Sequence, residues 1–292
     1  MAGSNTWKVR ASSISLDQPV VMGILHVTPD SFGDGGSYTT VEEAVEAGLA
    51  MVEDGASIVD VGGESTRPGA DSIPADLEIS RVLPVVERLA EMDVLVSVDT
   101  SKSVVARAAI ERGAAIINDV TGLRDVPMRR VCAEAGVGVV IMHMQGTPKT
   151  MQIKPRYDDV TADIRAFLTD RAGDAVAEGI AHESIVVDPG IGFGKTFAHN
   201  IEILAHLGDL VGIGFPLLVG TSRKGFLGEI LEPLRGVTQP EERDGATAAT
   251  VALAVRSGVR ILRVHNVRLA VEVAHTAKAM VPIDDEEKIH RT

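Results

Sequence analysis

The chain has few of the residue types that mark secreted, membrane-embedded or nucleic-acid-binding proteins. Only one of its 292 residues is a cysteine, Cys132, so no disulfide can form within the chain. Aromatic residues make up 3%, which disfavours a stacking platform for single-stranded nucleic acid. No run of about 18 apolar residues could cross a membrane, and residues 1–17 lack the apolar centre of a signal peptide. We therefore expect a cytoplasmic protein with no membrane partner.

The charge balance is acidic, with 41 Asp and Glu residues against 28 Lys and Arg residues and a net charge of −13. Nucleic-acid binding requires a basic face, so no nucleic-acid partner is expected. The sequence has no H-E-x-x-H segment and no pair of cysteines, which disfavours a zinc site. Small anionic substrates remain compatible, because they respond to the local groups of a site.

Eight short runs rich in β-branched residues predict buried parallel strands. They cover residues 20–27, 57–61, 94–98, 115–120, 137–142, 184–187, 216–219 and 260–264. Helical patterns lie between them, for example at 41–54 and 75–92. Eight β-then-α units predict an α/β fold, a single (β/α)8 TIM barrel. A doubly wound open sheet, which usually has fewer strands, is the alternative.

The C-terminal ends of barrel strands and the loops after them carry the catalytic groups of this fold. Nearly every predicted strand ends in polar or charged residues. In chain order these are His26, residues 62–69, Asp99, Asn118 and Asp119, His143, Asp188, residues 222–224, Arg263 and His265. A single such residue is often only a helix cap. So many at one rim predict a shared active site.

The rim residues fall into two chemical groups. One group accepts hydrogen bonds and suits the donor edge of a guanidine-like heterocycle: Asp99, Asn118 and Asp188. The other is cationic and suits phosphate oxygens: Arg67, Lys224, Arg263 and His265. The sequence therefore predicts a nitrogen-rich ring held deep in the barrel, with an anion at its mouth. A diphosphate substrate would usually bring Mg²⁺.

Residues 190–196, Gly-Ile-Gly-Phe-Gly-Lys-Thr, end like a nucleotide-binding P-loop but lack its spacing. The residue five positions before Gly194 is Pro189, where the P-loop has glycine. We therefore do not predict a P-loop at this position.

Eight segments carry a family resemblance. They are MGILHVTPDSFGDGG, DVGGESTRPGA, SVDT, INDVTG, MHMQGTPKTMQ, DPGIGFGKT, GTSRKGFLG and RVHNV. In order and spacing, from about residue 20 to about residue 279, the chain resembles the dihydropteroate synthases. The resemblance implies a transferase of folate biosynthesis and a target of sulfonamides. Its reaction would join 6-hydroxymethyl-7,8-dihydropterin diphosphate to p-aminobenzoate, giving 7,8-dihydropteroate and diphosphate without a covalent enzyme intermediate. It also implies Mg²⁺ and a homodimer.

The resemblance assigns roles to individual residues. The pterin ring would be held by Asp99, Asn118, Asp188, Lys224 and Arg263. The diphosphate and p-aminobenzoate would be bound by Thr66, Arg67, Pro68, Phe193, Ser222, Arg263 and His265. The catalytic set would be Asp99, Lys224, Arg263 and His265. In the first loop, Phe32 would close over the site and Asp34 would assist the metal-bound diphosphate, with His26 as a second candidate metal ligand.

Three positions depart from the family pattern. His26 stands where the family has an Asn that binds Mg²⁺, Asn266 stands where it has an Asp beside the histidine, and Gly33 stands where Ser is common. We interpret His26 as a neutral replacement, a hydrogen-bond donor to diphosphate, or a nitrogen ligand for a softer metal. Asn266 would deprive His265 of a carboxylate partner.

Two further functions stay open at this point. One is a pterin-binding protein that has lost catalysis, because the departures cluster on the diphosphate side. The other is a folate-dependent methyltransferase, which the intact residues 62–69 and 222–224 disfavour. The predicted organisation is an N-terminal segment (1–19), a pterin-binding barrel domain (20–281) and a loose acidic tail (282–292).

Overall fold

The computed structural model describes residues 5–28 and 40–281. The predictions for Phe32, Gly33 and Asp34, and that for the tail at 282–292, lie outside these residues. No helix in the described ranges is long and apolar enough to cross a membrane.

The central element is a ring of eight parallel strands, β3 to β10. Their bounds are β3 Val20–His26, β4 Ile58–Gly62, β5 Val96–Asp99, β6 Ile116–Asp119, β7 Gly138–Met142, β8 Ile185–Asp188, β9 Leu218–Val219 and β10 Ile261–Val264. Neighbours in the sheet follow the chain from β3 to β8, and β10 pairs with both β3 and β9. The ring closes where the Val187 N–H donates to the Pro216 carbonyl over 3.0 Å. The predicted TIM barrel is confirmed, and the open sheet is wrong.

Ten helices of the described ranges surround these strands or connect them. Their bounds are α1 Val41–Glu53, α2 Ala75–Glu91, α3 Ser103–Glu111, α4 Val126–Ala135, α5 Val160–Ala177, α6 Phe197–Ala205, α7 Leu207–Val211, α8 Gly225–Arg235, α9 Asp244–Arg256 and α10 Val267–Ala279. The outward residues of the strands pack against the helices in one continuous apolar core. Because the strands are buried on both faces, their sequences are continuous apolar runs rather than alternating patterns.

The strands differ from their predicted bounds mainly at their ends. Strand β9 has only two residues, because the Pro216 side of the predicted run lacks regular pairing and joins β8 through isolated contacts. Asp99 and Asp188 are the last residues of β5 and β8, so these two predicted site residues belong to the strands themselves.

An antiparallel hairpin lies under the N-terminal end of the barrel. It consists of β1 Thr6–Val9 and β2 Ser12–Ser15, with Trp7 opposite Ile14. Trp7 is fully buried, and its indole N–H donates to the Ser184 carbonyl over 2.9 Å. The hairpin packs on the lowest inward-facing layer of the barrel, formed by Met22, Ile58, Ile116, Val140, Val186, Leu218 and Ile261. That end of the barrel is therefore filled with apolar side chains.

Candidate active site

The inward face of the barrel changes from apolar to polar within two residues of the same strand. Ile58 precedes Asp60 on β4, Ile116 precedes Asn118 on β6, Val186 precedes Asp188 on β8, and Ile261 precedes Arg263 on β10. Side chains two residues apart point to the same side of a strand, so the polar group stands directly above the apolar layer. These four polar side chains converge at the C-terminal end of the barrel.

Arg263 is the centre of a buried polar network. Its Nε donates to Asp60 Oδ2 over 2.6 Å, and its Nη2 donates to Asp99 Oδ2 over 2.9 Å. Asn118 Nδ2 also donates to Asp60 Oδ2, over 3.0 Å. The two carboxylates therefore hold the edge of the guanidinium, which leaves its planar face for a flat ring. Burial raises the pKa of Asp99 above its usual value, and the Arg263 charge opposes this shift.

A cleft beside this network contains the predicted ring-binding groups. Its polar lining comes from Asn118, Asp188, Lys224 and Arg263, and Phe193 forms one wall. The Lys224 ammonium lies 4.0 Å from the centre of the Phe193 ring. The cleft combines two acceptors with a cation and an apolar surface, as a nitrogen-rich planar ligand requires.

Asp188 has a defined orientation in this cleft. The Gly190 N–H donates to Asp188 Oδ1 over 2.6 Å. Burial raises the pKa of Asp188 to about 6, while this hydrogen bond and the charge of Lys224 oppose the shift. Lys224 itself has its pKa lowered to about 8 by burial and by Arg263. Asp188 is buried, and Gly190 and Lys224 favour its ionised form.

The side of the site that is predicted to bind an anion centres on His265. Ser222 Oγ lies 2.9 Å from His265 Nδ1 and accepts from the His265 backbone N–H over 3.1 Å. Burial, followed by His26 and Arg223, lowers the pKa of His265 to about 2. The His26 ring lies 5.8 Å from the His265 ring. Burial and the charges of Arg263 and Arg67 lower the pKa of His26 to about 4. Both histidines are therefore neutral when no anion is bound.

The loop after β4 extends across the mouth of the barrel. Arg67 and Pro68 are exposed and Thr66 is half-buried. The Gly69 N–H donates to the Pro148 carbonyl over 3.1 Å, and Lys149 pairs with Asp71 over 2.6 Å. These contacts connect the β4 loop to the β7 loop. The predicted binding residues of the β4 loop therefore lie on a segment that contacts the β7 loop at the same rim of the barrel.

The expectation for Asn266 is wrong. Its side chain does not contact His265 in the described structure: Oδ1 accepts from the Leu269 N–H at the start of α10, and Nδ2 donates to Asp244 Oδ2. The group that orients the His265 ring is Ser222. Asn266 instead caps the start of α10 and contacts the half-buried carboxylate of Asp244.

Asp60 and Lys195 were not predicted as site residues. Asp60 is fully buried inside β4 and connects Arg263 with Asn118. Its signal was a carboxylate inside an otherwise apolar strand, which requires a partner. Lys195 is also buried, and its Nζ lies 2.9 Å from His143 Nδ1. Its signal was the Gly-Lys-Thr sequence, which had no role once the P-loop was rejected.

The described residues do not by themselves form a Mg²⁺ site. Among them, no group of three or more His, Cys, Asp or Glu side chains could hold a metal ion. The nearest carboxylates, Asp60 and Asp99, are paired with Arg263. Of the two predicted ligands, His26 is near cationic groups and Asp34 lies outside the described residues.

Comparison with known proteins is decisive for the family. A family model described as "Pterin binding enzyme" matches residues 22–265. The dihydropteroate synthase of Escherichia coli (strain K12) is 42% identical over 280 residues, which are 96% of this chain and 98% of that protein. The chain belongs to the dihydropteroate synthase family.

Solved structures of dihydropteroate synthases have the same fold. The Yersinia pestis enzyme in a sulfonamide drug complex has a TM-score of 0.88 and 42% identity, covering 94% of this chain and 98% of that one. The Xanthomonas albilineans dihydropteroate synthase with 4-aminobenzoic acid has a TM-score of 0.88 and 43% identity, covering 96% and 99%. The methyltransferase alternative is therefore wrong.

Proposed function

We propose that this chain acts as a dihydropteroate synthase, a transferase that joins 6-hydroxymethyl-7,8-dihydropterin diphosphate to p-aminobenzoate. The observation that carries the proposal is the cleft in which the Asn118 amide and the Asp188 carboxylate lie beside the Arg263 guanidinium. A pterin carries an amino group and ring N–H groups on one edge, and these match two buried acceptors with charge assistance.

The protein's part in the reaction is binding and electrostatics. The bond between the exocyclic methylene and the diphosphate oxygen breaks, and its electron pair leaves with diphosphate. Positive charge develops on the methylene, where the Asp99 carboxylate, held by Arg263, would stabilise it. The p-aminobenzoate nitrogen forms the new C–N bond and loses a proton to solvent. No side chain needs to form a covalent intermediate.

The departing diphosphate would be bound by donors at the mouth of the barrel. Arg67 on the β4 loop and Arg263 provide positive charge, and Ser222 orients the ring of His265. Lys224 lines the ring pocket, with its ammonium close to the Phe193 ring. We assign p-aminobenzoate to the side formed by Phe193, Ser222 and the Thr66–Pro68 segment. The sulfonamide drugs, which mimic p-aminobenzoate, would compete for this side.

Magnesium remains a proposal. Diphosphate oxygens and water would supply most of its ligands, since the described residues offer no oxygen set of their own. When bound, the ion would neutralise charge on the leaving group. Omitting Mg²⁺ from an assay of otherwise saturated enzyme measures whether it is required.

The assay that tests the function measures release of diphosphate. We expect release that depends on both substrates, together with formation of 7,8-dihydropteroate. Pterin binding by calorimetry without any such release would instead support the second candidate, a pterin-binding protein that has lost catalysis.

A homodimer in the cytoplasm completes the proposal. Large apolar side chains are exposed on three neighbouring helices, α6, α8 and α9: Phe197, Ile201, Ile230, Leu234 and Leu253. Exposed apolar surface of this kind commonly marks a protein contact. Light scattering of the purified protein would give its mass, and Leu234→Glu should favour the monomer. Cell fractionation tests the location.

A further inference from the structure

Three consecutive carbonyls of the loop after β8 are each held by a side chain. Gln152 Nε2 donates to the Gly192 carbonyl over 2.8 Å, Lys195 Nζ donates to the Phe193 carbonyl over 3.0 Å, and Tyr157 Oη donates to the Gly194 carbonyl over 2.7 Å. Side-chain donors to successive carbonyls fix the backbone of a loop that has no regular pairing of its own. The middle carbonyl belongs to the residue whose ring forms a wall of the site.

Lys195 is the buried member of these three donors. Only 3% of its surface is exposed. Its amine has three acceptors: His143 Nδ1 at 2.9 Å, the Phe193 carbonyl at 3.0 Å and the His143 carbonyl at 3.4 Å. A buried amine is costly unless its donors are satisfied, and a lysine has three. This geometry ties the end of β7 to the loop after β8.

Both residues that Lys195 connects, His143 and Phe193, are linked to the binding cleft. The His143 backbone N–H donates to the Asp188 carbonyl over 2.9 Å. The Phe193 ring, at the other end, lies 4.0 Å from Lys224 Nζ. The loop also follows His143 closely, because a Cβ added at Gly190 would lie 2.0 Å from the His143 carbonyl oxygen. Lys195 therefore does not line the cleft itself, but it binds His143 and the backbone of Phe193, which are next to the cleft or form its wall.

We propose that Lys195 is a positioning residue that holds Phe193 in place for p-aminobenzoate, with Gln152 and Tyr157 supporting it on either side. The proposal rests on the proposed function. Asp188 does not depend on Lys195 alone, since the Gly190 N–H also holds its carboxylate. Loss of Lys195 therefore affects the p-aminobenzoate side more than the pterin pocket.

The test compares Lys195→Met with Arg129→Met. Arg129 is a matched control: it is a buried cation that donates to the Leu123 and Arg124 carbonyls, and it does not contact the cleft residues. For Lys195→Met we expect the KM for p-aminobenzoate to rise about tenfold, with pterin affinity by calorimetry within about threefold of wild type. Arg129→Met should lose thermal stability without either change. An unchanged KM in Lys195→Met would overturn the proposal.

A second readout does not depend on catalysis. Amide hydrogen exchange of peptides covering residues 189–200 should become about tenfold faster in Lys195→Met and stay unchanged in Arg129→Met. Unchanged exchange would show that Lys195 does not hold the loop. If wild type releases no diphosphate, the proposed function fails, whereas the exchange result still decides whether the loop is held.

A third variant covers the case in which Lys195→Met does not fold. The double change Gln152→Leu and Tyr157→Phe frees the two flanking carbonyls from positions nearer the surface. We expect a rise of about threefold in the KM for p-aminobenzoate and no change in pterin affinity. The wild-type KM in this double variant, or an equal loss of pterin affinity, would contradict the proposal.

Discussion

The two ends of this barrel are built from the same strands but have opposite chemistry. At the N-terminal end, Ile58, Ile116, Val186 and Ile261 belong to an apolar layer directly above Trp7. Two residues further along each strand, that layer is replaced by Asp60, Asn118, Asp188 and Arg263. The lower layer gains stability from burial of apolar surface. The upper layer keeps charges out of water, which costs stability unless each charge is paired. The residues that stabilise the fold and those proposed to bind substrate are therefore only two positions apart on the same strands.

The strongest test of this comparison is at β10. Arg263→Met leaves Asp60 and Asp99 buried without their cation, so we expect turnover to fall about 1,000-fold and the free energy of unfolding to fall by about 3–5 kcal/mol. Its partner in the lower layer, Ile261→Ala, should lose about 2–5 kcal/mol of stability and little turnover per folded molecule. Steady-state kinetics and denaturant unfolding measure both variants.

Arg263→Lys is the control for charge. It should recover much of the stability and little of the activity, because an ammonium cannot present a planar face. Equal losses of turnover in Ile261→Ala and Arg263→Met would remove the distinction between the two layers.

The next test is at β8. Asp188→Asn should weaken pterin binding by about 1–3 kcal/mol, since the donors of the ring lose a charged acceptor. It should also raise the stability of the unliganded protein at pH 7. Burial raises the pKa of Asp188 to about 6, so the folded state binds this proton more tightly than the unfolded state does. Ionisation therefore costs stability above about pH 6.

Thermal unfolding at about pH 7 and about pH 4 checks the sign of this stability difference. The advantage of Asp188→Asn over wild type should be full above about pH 6 and should shrink as the pH falls towards the unfolded value of about 4. Val186→Ala, one layer below, should lose about 2 kcal/mol at both pH values and retain pterin affinity. A variant Asp188→Asn that is less stable at pH 7 would show that the carboxylate stabilises the fold.

A smaller effect is expected at the hairpin. Trp7→Phe removes the donor to the Ser184 carbonyl and leaves space in the lower layer. We expect the free energy of unfolding to fall by about 1–3 kcal/mol. Kinetics measured below the melting temperature should match wild type. Any change in the KM for either substrate would mean that the two ends of the barrel are coupled.

The smallest effect is expected at His26, at the border of the polar layer. His26→Asn restores the family residue, and we expect turnover within about threefold of wild type. Burial and Arg263 lower the pKa of His26 to about 4, so a cationic role at neutral pH is not expected without a bound anion. Turnover should be compared with Mg²⁺ and Mn²⁺ across the pH range. A lost preference for Mn²⁺ would support nitrogen ligation, and a flattened acid limb would support donation to diphosphate.

The sequence predicted the barrel and the residues at its strand ends because both follow from local pattern. Apolar runs identify buried strands, and in this topology all strand ends meet at one rim. Asp99, Asn118 and Asp188 were found in this way. Asp60 was not, because it lies inside a run that was interpreted as wholly apolar. Only the assembled barrel, in which β6 and β10 each lie two strands from β4, shows that Asn118 and Arg263 reach it.

Contacts between residues distant in the chain set the limit of prediction from sequence. Residue 266 follows His265 directly, which suggested a side-chain pair, but the turn into α10 directs Asn266 away from the ring. The role of Lys195 depends on His143, 52 residues earlier in the chain. The hairpin at Trp7 depends on Ser184, 177 residues later. No local pattern encodes such pairs.

The sealed lower end has a consequence for the order of events during turnover. Within residues 5–28 and 40–281, Trp7 and the apolar layer above it close the lower end of the barrel, so the site opens at the rim. Asn118 and Asp188 are buried inside the barrel, while Arg67 and Pro68 are exposed at its rim. A molecule bound at the rim blocks the way in or out for a molecule bound in the buried cleft. If the substrates bind as proposed, the pterin would bind before p-aminobenzoate, and the joined product would leave with its ring last.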